Sequence, residues 1–127
     1  MQHWMLPIYP ISLFSLLNPS LNLSRERFYK ALIYGNILMM EVKEIERALK
    51  TLANKRRLAI VKYLKSKRGA SVGDIADEIN LSLKATSKHL VTLNAADIVD
   101  REQKGFQAFY HLSSHQKPLS KYIISLL

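Results

Sequence analysis

Apolar residues first recur at helical spacing at Val42, Ile45, Ala48, Leu49 and Leu52, with Lys43, Glu44, Glu46, Arg47 and Lys50 between them. Side chains three, four and seven apart share one face of a 3.6-residue turn, so this stretch predicts an amphipathic helix beginning after Glu41. A second helix is predicted from Asn54, a good N-cap, through Leu58, Ile60, Val61 and Leu64. Lys65-Ser66-Lys67-Arg68-Gly69 closes it, because cations suit the carbonyl end of a helix dipole and glycine suits the left-handed residue just past that end.

Ser71 followed by Asp74 is a capping-box variant, and with Ile75, Ala76 and Ile79 it predicts a short third helix. Asn80-Leu81-Ser82 makes a turn, and Ser82 caps a fourth helix over Leu83 to Asn94. In that helix Thr86, Leu90 and Leu93 fall on one side, while Lys84, Ser87, Lys88 and Val91 fall on another. Two strand-like runs follow, Ile98 to Glu102 and Phe106 to Leu112, separated by Gln103-Lys104-Gly105. The last segment, Ser114 to Leu127, repeats Leu119, Tyr122, Ile123 and Leu126 at helical spacing. The expected fold is mainly α with a small β-hairpin wing, in the order α-α-α-α-β-β-α: a winged helix-turn-helix.

Residues 1–39 do not fit this pattern. Met1 to Ser24 holds no charged side chain and mixes Leu, Ile, Phe and Trp with Ser, Asn, Pro7, Pro10 and Pro19. It has neither the basic start nor the small-residue cleavage point of a secretory signal. Prolines and Asn18 interrupt the run of about 20 apolar residues that a membrane span needs. Residues 1–39 are therefore expected to be a poorly ordered extension, and residues 40–127 the folded domain. A membrane tether through residues 1–24 is the alternative.

Composition narrows the partner. The 127 residues carry 19 Lys and Arg against 10 Asp and Glu, a formal charge of +9, of which +7 lies beyond residue 39. Such an excess favours a polyanion: DNA, RNA or an acidic membrane surface. The absence of cysteine excludes disulfides, thiolate metal sites and cysteine nucleophiles, and fits a cytoplasmic protein. Four scattered glycines form no phosphate loop, and no paired acid and base stands out. No catalytic residue, cofactor or metal is expected, and His111 and His115 straddle the predicted strand-to-helix junction, where a shared zinc site is ill-placed.

Ala48-Leu49-Lys50-Thr51-Leu52-Ala53-Asn54 with Arg57-Leu58-Ala59-Ile60-Val61, Ser71-Val72 with Ile75-Ala76, Leu81-Ser82 leading to Ser87-Lys88-His89-Leu90 and Leu93, then Ala96-Asp97-Ile98-Val99, Gly105 and Tyr110, form one ordered set. Together they resemble the ArsR-type winged helix-turn-helix repressors over about two-thirds of the chain. That resemblance implies a homodimer on double-stranded DNA that represses by blocking a promoter. Three departures matter. Asp97 stands where the family usually has glycine, and Asp tolerates the left-handed conformation better than most residues. Val72-Gly73-Asp74 offers no thiol where the family's metal sensors often carry a cysteine box. Phe106 follows Gly105 where a basic residue is common.

A single α-helix fits the major groove, and polar side chains on its outer face then reach base edges. The expected DNA-contacting residues are Ser82, Lys84, Ser87 and Lys88, with His89 bordering the packed side, and Arg101 and Lys104 following the backbone from the wing. Lys55, Arg56 and Arg57 start the second helix, where cations oppose the dipole, which leaves open an anionic partner or a solvated turn. Val42, Ile45, Leu49, Leu119, Tyr122, Ile123 and Leu126 are the expected dimer interface, because so wide a stripe calls for a second copy. A protein-interaction module with no specific DNA site is the remaining alternative.

Overall fold

A computed structural model describes residues 35–127, so the readings placed on Met1 to Ser24 lie outside the described residues. The chain divides into two compact units, Met1–Met40 and Glu41–Leu127. Of the first unit, residues 35–38 are helical. All the elements below belong to the second.

Helix α1 spans Val42–Leu52 and α2 spans Lys55–Ser66. Asn54 caps α2 as its sequence implies: its side-chain oxygen accepts from the amides of Arg56 at 3.0 Å and Arg57 at 3.1 Å. The other end of α2 differs from expectation. Ser66 is its last residue, Lys67 is already extended (φ −122°, ψ 148°), and Gly69 is not in the left-handed region. The chain instead runs directly into a two-residue strand, β1 (Ala70–Ser71), which the sequence reading did not contain.

Helix α3 (Val72–Ile79) begins with the predicted capping box. The Ser71 hydroxyl oxygen accepts from the Asp74 amide at 3.2 Å, while the Asp74 carboxylate accepts from the Ser71 amide at 3.1 Å and from its hydroxyl at 2.7 Å. The hydroxyl and amide of Ser71 thereby hold the Asp74 carboxyl below its ordinary range. Asn80 then turns the chain in the left-handed region (φ 54°, ψ 54°), and Ser82 caps α4 (Leu83–Ala95) by accepting from the Ala85 amide at 3.2 Å. Asp97 is left-handed as well (φ 57°), so it fills the conformation that glycine would otherwise take.

Strands β2 (Val99–Lys104) and β3 (Gln107–Leu112) pair antiparallel, from Val99 opposite Leu112 to Lys104 opposite Gln107. The turn is therefore Gly105-Phe106, which begins two residues later than the expected Gln103-Lys104-Gly105 connection and ends one residue later. Gly105 at φ 61° supplies the first central position of a two-residue hairpin, so β2 extends to Lys104 while β3 starts at Gln107. β1 joins the other edge of β3, giving the antiparallel order β1-β3-β2.

The last helix, α5, covers Pro118–Ser125 rather than Ser114 to Leu127. Pro118 fits a first helical position, where its missing N–H costs nothing. The residues before it tie down the base of the wing: the Ser113 amide and the Gln116 side chain donate to the Ile98 carbonyl at 3.0 and 3.1 Å. One core joins these parts. Ile60, Val61 and Leu64 of α2 lie against Ile75 and Ile79 of α3, Leu90 and Leu93 of α4, Ile98 and Val99, Tyr110 of β3 and Ile124 of α5.

Candidate nucleic-acid interface

The two sides of α4 separate as their spacing implied. Thr86, Leu90 and Leu93 are fully buried, whereas Ser82, Lys84 and Lys88 are exposed and Ser87 is half-buried. Among the described residues, neither Lys84 nor Lys88 forms an ion pair within the chain. Positions 84, 87, 88 and 91 share one stripe, and Leu83 and Val91 add exposed apolar surface at the helix start and on the stripe. At the helix start Ser82 takes the Ala85 amide, and the amides before it in the first turn lie where a helix binds phosphate. His89 is half-buried; its burial, then the charges of Arg57 and Arg56 at the start of α2, push the imidazole below the usual histidine range.

Several cations counted toward the basic character are committed elsewhere. Arg57 donates through Nε to the Thr51 carbonyl and through Nη2 to the Lys50 carbonyl at 2.9 Å, closing the C-terminus of α1. Arg56 reaches the Ile79 carbonyl at the end of α3 (3.2 Å), Arg47 the Ala95 carbonyl at the end of α4, and Lys65 the Ser125 carbonyl at the end of α5 (3.1 Å). Each of these helix ends carries orphan carbonyls and partial negative charge, so a cation from another helix satisfies both. The question left open for Arg56 and Arg57 thus has an intramolecular answer. Sequence spacing gave no sign of it, because donors and carbonyls are far apart along the chain.

The wing is chemically unlike α4. Asp100 and Glu102 offset Arg101 and Lys104 within it. Lys104 pairs with Glu102 at 3.3 Å and lies 5.4 Å from the centroid of the Phe109 ring, while Arg101 donates to Gln103 at 2.8 Å. Arg101 sits opposite Tyr110, midway along the hairpin rather than near its tip. The tip residue is Phe106, with a relative exposure of 106%, which the sequence reading noted only as a departure from a basic residue.

The expected dimer residues lie at the surface of α1 and near α5. Val42, Leu49 and Leu126 are 79%, 50% and 68% exposed, and Ile45, Leu119, Tyr122 and Ile123 are half-buried. What α5 buries within the chain is Ser120 and Ile124, and Ile123 packs partly against the same core. Lys117 and Glu44, 3.4 Å apart, join α5 to α1. Among the described residues, no cluster of three His, Cys, Asp or Glu side chains is placed to hold a metal ion. Nor is any described helix long and apolar enough to cross a membrane.

A tri-helical core with a capped helix-turn-helix, an open polar face on its second helix and a hairpin directly after it define a winged helix-turn-helix domain. A family described as a helix-turn-helix domain matches residues 52–102. The transcriptional activator HlyU of Vibrio cholerae is 38% identical over 66 residues, covering 52% of this chain and 60% of HlyU; the match thus spans less than two-thirds of that relative's length. The solved structure of reduced HlyU from the same organism has a TM-score of 0.59 at 34% identity, covering 67% of this chain and 85% of that one. A homodimeric winged helix-turn-helix DNA-binding domain from Mycobacterium bovis, described as a possible ArsR-family regulator, has a TM-score of 0.58 at 25% identity, covering 67% and 75%. The transcriptional repressor PagR of Bacillus anthracis has a TM-score of 0.57 at 26% identity, covering 67% and 93%. The chain belongs to the ArsR-type winged helix-turn-helix transcriptional regulators.

Proposed function

We propose that this protein is a homodimeric repressor that reads a double-stranded operator with α4. The observation that carries the reading is the exposed stripe of Lys84, Ser87 and Lys88 on a helix whose opposite side is locked into the core. Lysine donates to guanine O6 or N7, serine pairs with several acceptors, and the exposed Leu83 and Val91 suit thymine methyl groups. Ser82 and the first-turn amides hold a phosphate that sets the register. Arg101 and Lys104 contribute weaker backbone contacts, and His89 serves mainly to pack α4 against α2.

Val42, Ile45, Leu49, Leu119, Tyr122, Ile123 and Leu126 pair the two copies, a role supported by the exposure of Val42, Leu49 and Leu126 and by the homodimeric Mycobacterium bovis neighbour. A two-fold dimer of this kind binds an imperfect palindrome with half-sites about 34 Å apart. Neither catalysis nor a resident cofactor belongs to this reading. Residues 1–39 act as an extension outside the DNA-binding domain, and the cytoplasm is the expected compartment. With no cysteine in these 127 residues, thiol chemistry supplies no signal.

Incubating the protein with random genomic fragments and sequencing those retained tests the proposal. Enrichment of a few fragments sharing an inverted repeat supports it; retention of all fragments alike, or of none, overturns it. A second reading, activation, is favoured by the name of HlyU, the 38% identical relative. A promoter fusion to each enriched fragment separates the two by the sign of the change in expression.

A further inference from the structure

We infer that the wing engages DNA chiefly through Phe106, as an apolar wedge in the minor groove, with Arg101 and Lys104 adding only weak phosphate contacts. The inference rests on the DNA-reading role of α4 and adds a specificity-determining residue to it. A cationic clamp needs uncommitted positive charge. Here the acids of β2 equal its bases in number, Lys104 is paired with Glu102 at 3.3 Å, and Arg101 donates to Gln103 from midway along the hairpin, away from the tip. The tip carries a phenyl ring wholly in solvent.

The tip is also held in shape. Gly105 takes φ 61°, and the Gln103 side chain donates to the Gly105 carbonyl at 2.9 Å, closing the turn from within. The five steps from Val99 to Lys104 carry the tip about 17 Å from the base of the hairpin at roughly 3.4 Å per residue. Val91, Asn94 and Ala95 of α4 and Arg101 and Tyr110 of the wing line one open groove, so the hairpin rises beside the exposed side of the reading helix. With α4 in a major groove, that reach is enough to cross the adjoining backbone. The minor groove, about 6 Å wide, admits an aromatic edge, and apolar side chains inserted there unstack base steps and kink the duplex. Pyrimidine–purine steps deform most easily, so the wedge adds a preference for such a step outside the bases read by α4.

The test compares wild-type protein with Phe106→Ala, Phe106→Trp and Phe106→Lys on an enriched operator, over a series of salt concentrations. Because Phe106 is fully exposed, none of these changes disturbs the core. The wedge predicts a loss of about tenfold or more for Phe106→Ala, from the burial of one phenyl group. The slope of log affinity against log salt stays unchanged, and randomised flanking steps lose their preference. Phe106→Trp retains the affinity, while Phe106→Lys steepens the salt slope without restoring the flanking preference. Wild-type affinity for Phe106→Ala, or tighter binding by Phe106→Lys with the preference intact, overturns the wedge and leaves the role of α4 standing. Failure of the wild-type protein to select any fragment overturns the role of α4 itself, and the wedge with it.

Discussion

Helix α4 and the wing follow one another in the chain and share the core, yet they divide the work differently. On α4, burial of Thr86, Leu90 and Leu93 fixes the helix, which leaves Lys84, Ser87 and Lys88 as chemistry addressed to something outside the chain. On the wing, Lys104 pairs with Glu102 and Arg101 donates to Gln103 within the same strand, and the apolar ring is what faces outward. Net charge was a poor guide to this division. Arg47, Arg56, Arg57 and Lys65 contribute to the basic total but close helix ends, so the cations free to meet DNA are fewer and more localised than +9 implies.

The contrast can be broken most severely from inside α4. Leu93→Ala removes a fully buried side chain and is expected to cost about 2–5 kcal/mol in urea unfolding. Gln103→Ala on the exposed wing is expected to stay within about 0.5 kcal/mol, and a loss comparable to that of Leu93→Ala would mean that the outer part of the hairpin helps hold the core. Thr86 sharpens the same point in the opposite direction. Its hydroxyl is buried with no hydrogen-bond partner among the described residues, and Thr86→Val should raise stability by about 1 kcal/mol.

Smaller effects fall on charge. Lys104→Ala should weaken binding to all sequences alike and lower the salt slope by less than about one, because Glu102 beside that ammonium offsets part of its charge. A full unit of slope would restore Lys104 as a phosphate contact. His89 gives the mildest signal. Its folded pKa lies below its unfolded one, so the folded state resists protonation. Stability should be unaffected above the unfolded value near 6.5, decline as pH falls below it, and level off beneath the depressed folded value. His89→Gln should remove that decline in thermal melts at pH 7.5 and 5.5, and a decline left unchanged would assign it to another group.

Local signals carried most of the fold because several boundaries are set by local chemistry. Asn54, Ser71 and Ser82 each cap the helix that follows, and Asp97 takes the left-handed turn expected of it. The misplaced features depend on distant pairing. Strand β1 is only Ala70–Ser71, too short to show a period, and it exists because β3 offers an edge. Gly69 looked like a helix terminator, but the chain was already extended at Lys67 on its way to that edge. The start of α5 moved to Pro118 because residues 113 and 116 are engaged by the Ile98 carbonyl. At the candidate interface, the α4 stripe was legible from spacing alone. The fates of Arg56, Arg57 and Lys104 were not, since a charge in a sequence does not reveal the carbonyl or carboxylate that folding brings to it.

Base reading by α4 is the central claim, and one titration tests it most directly. Wild-type protein and Lys88→Ala are each measured at a single salt concentration against an enriched operator and against a random duplex of equal length. The expected result is a loss of about 1–3 kcal/mol on the operator, with a smaller loss on random DNA, so that the specificity ratio narrows. Equal losses on both duplexes would show that Lys88 serves only as a charge, and would contradict the account of α4 as the reading helix.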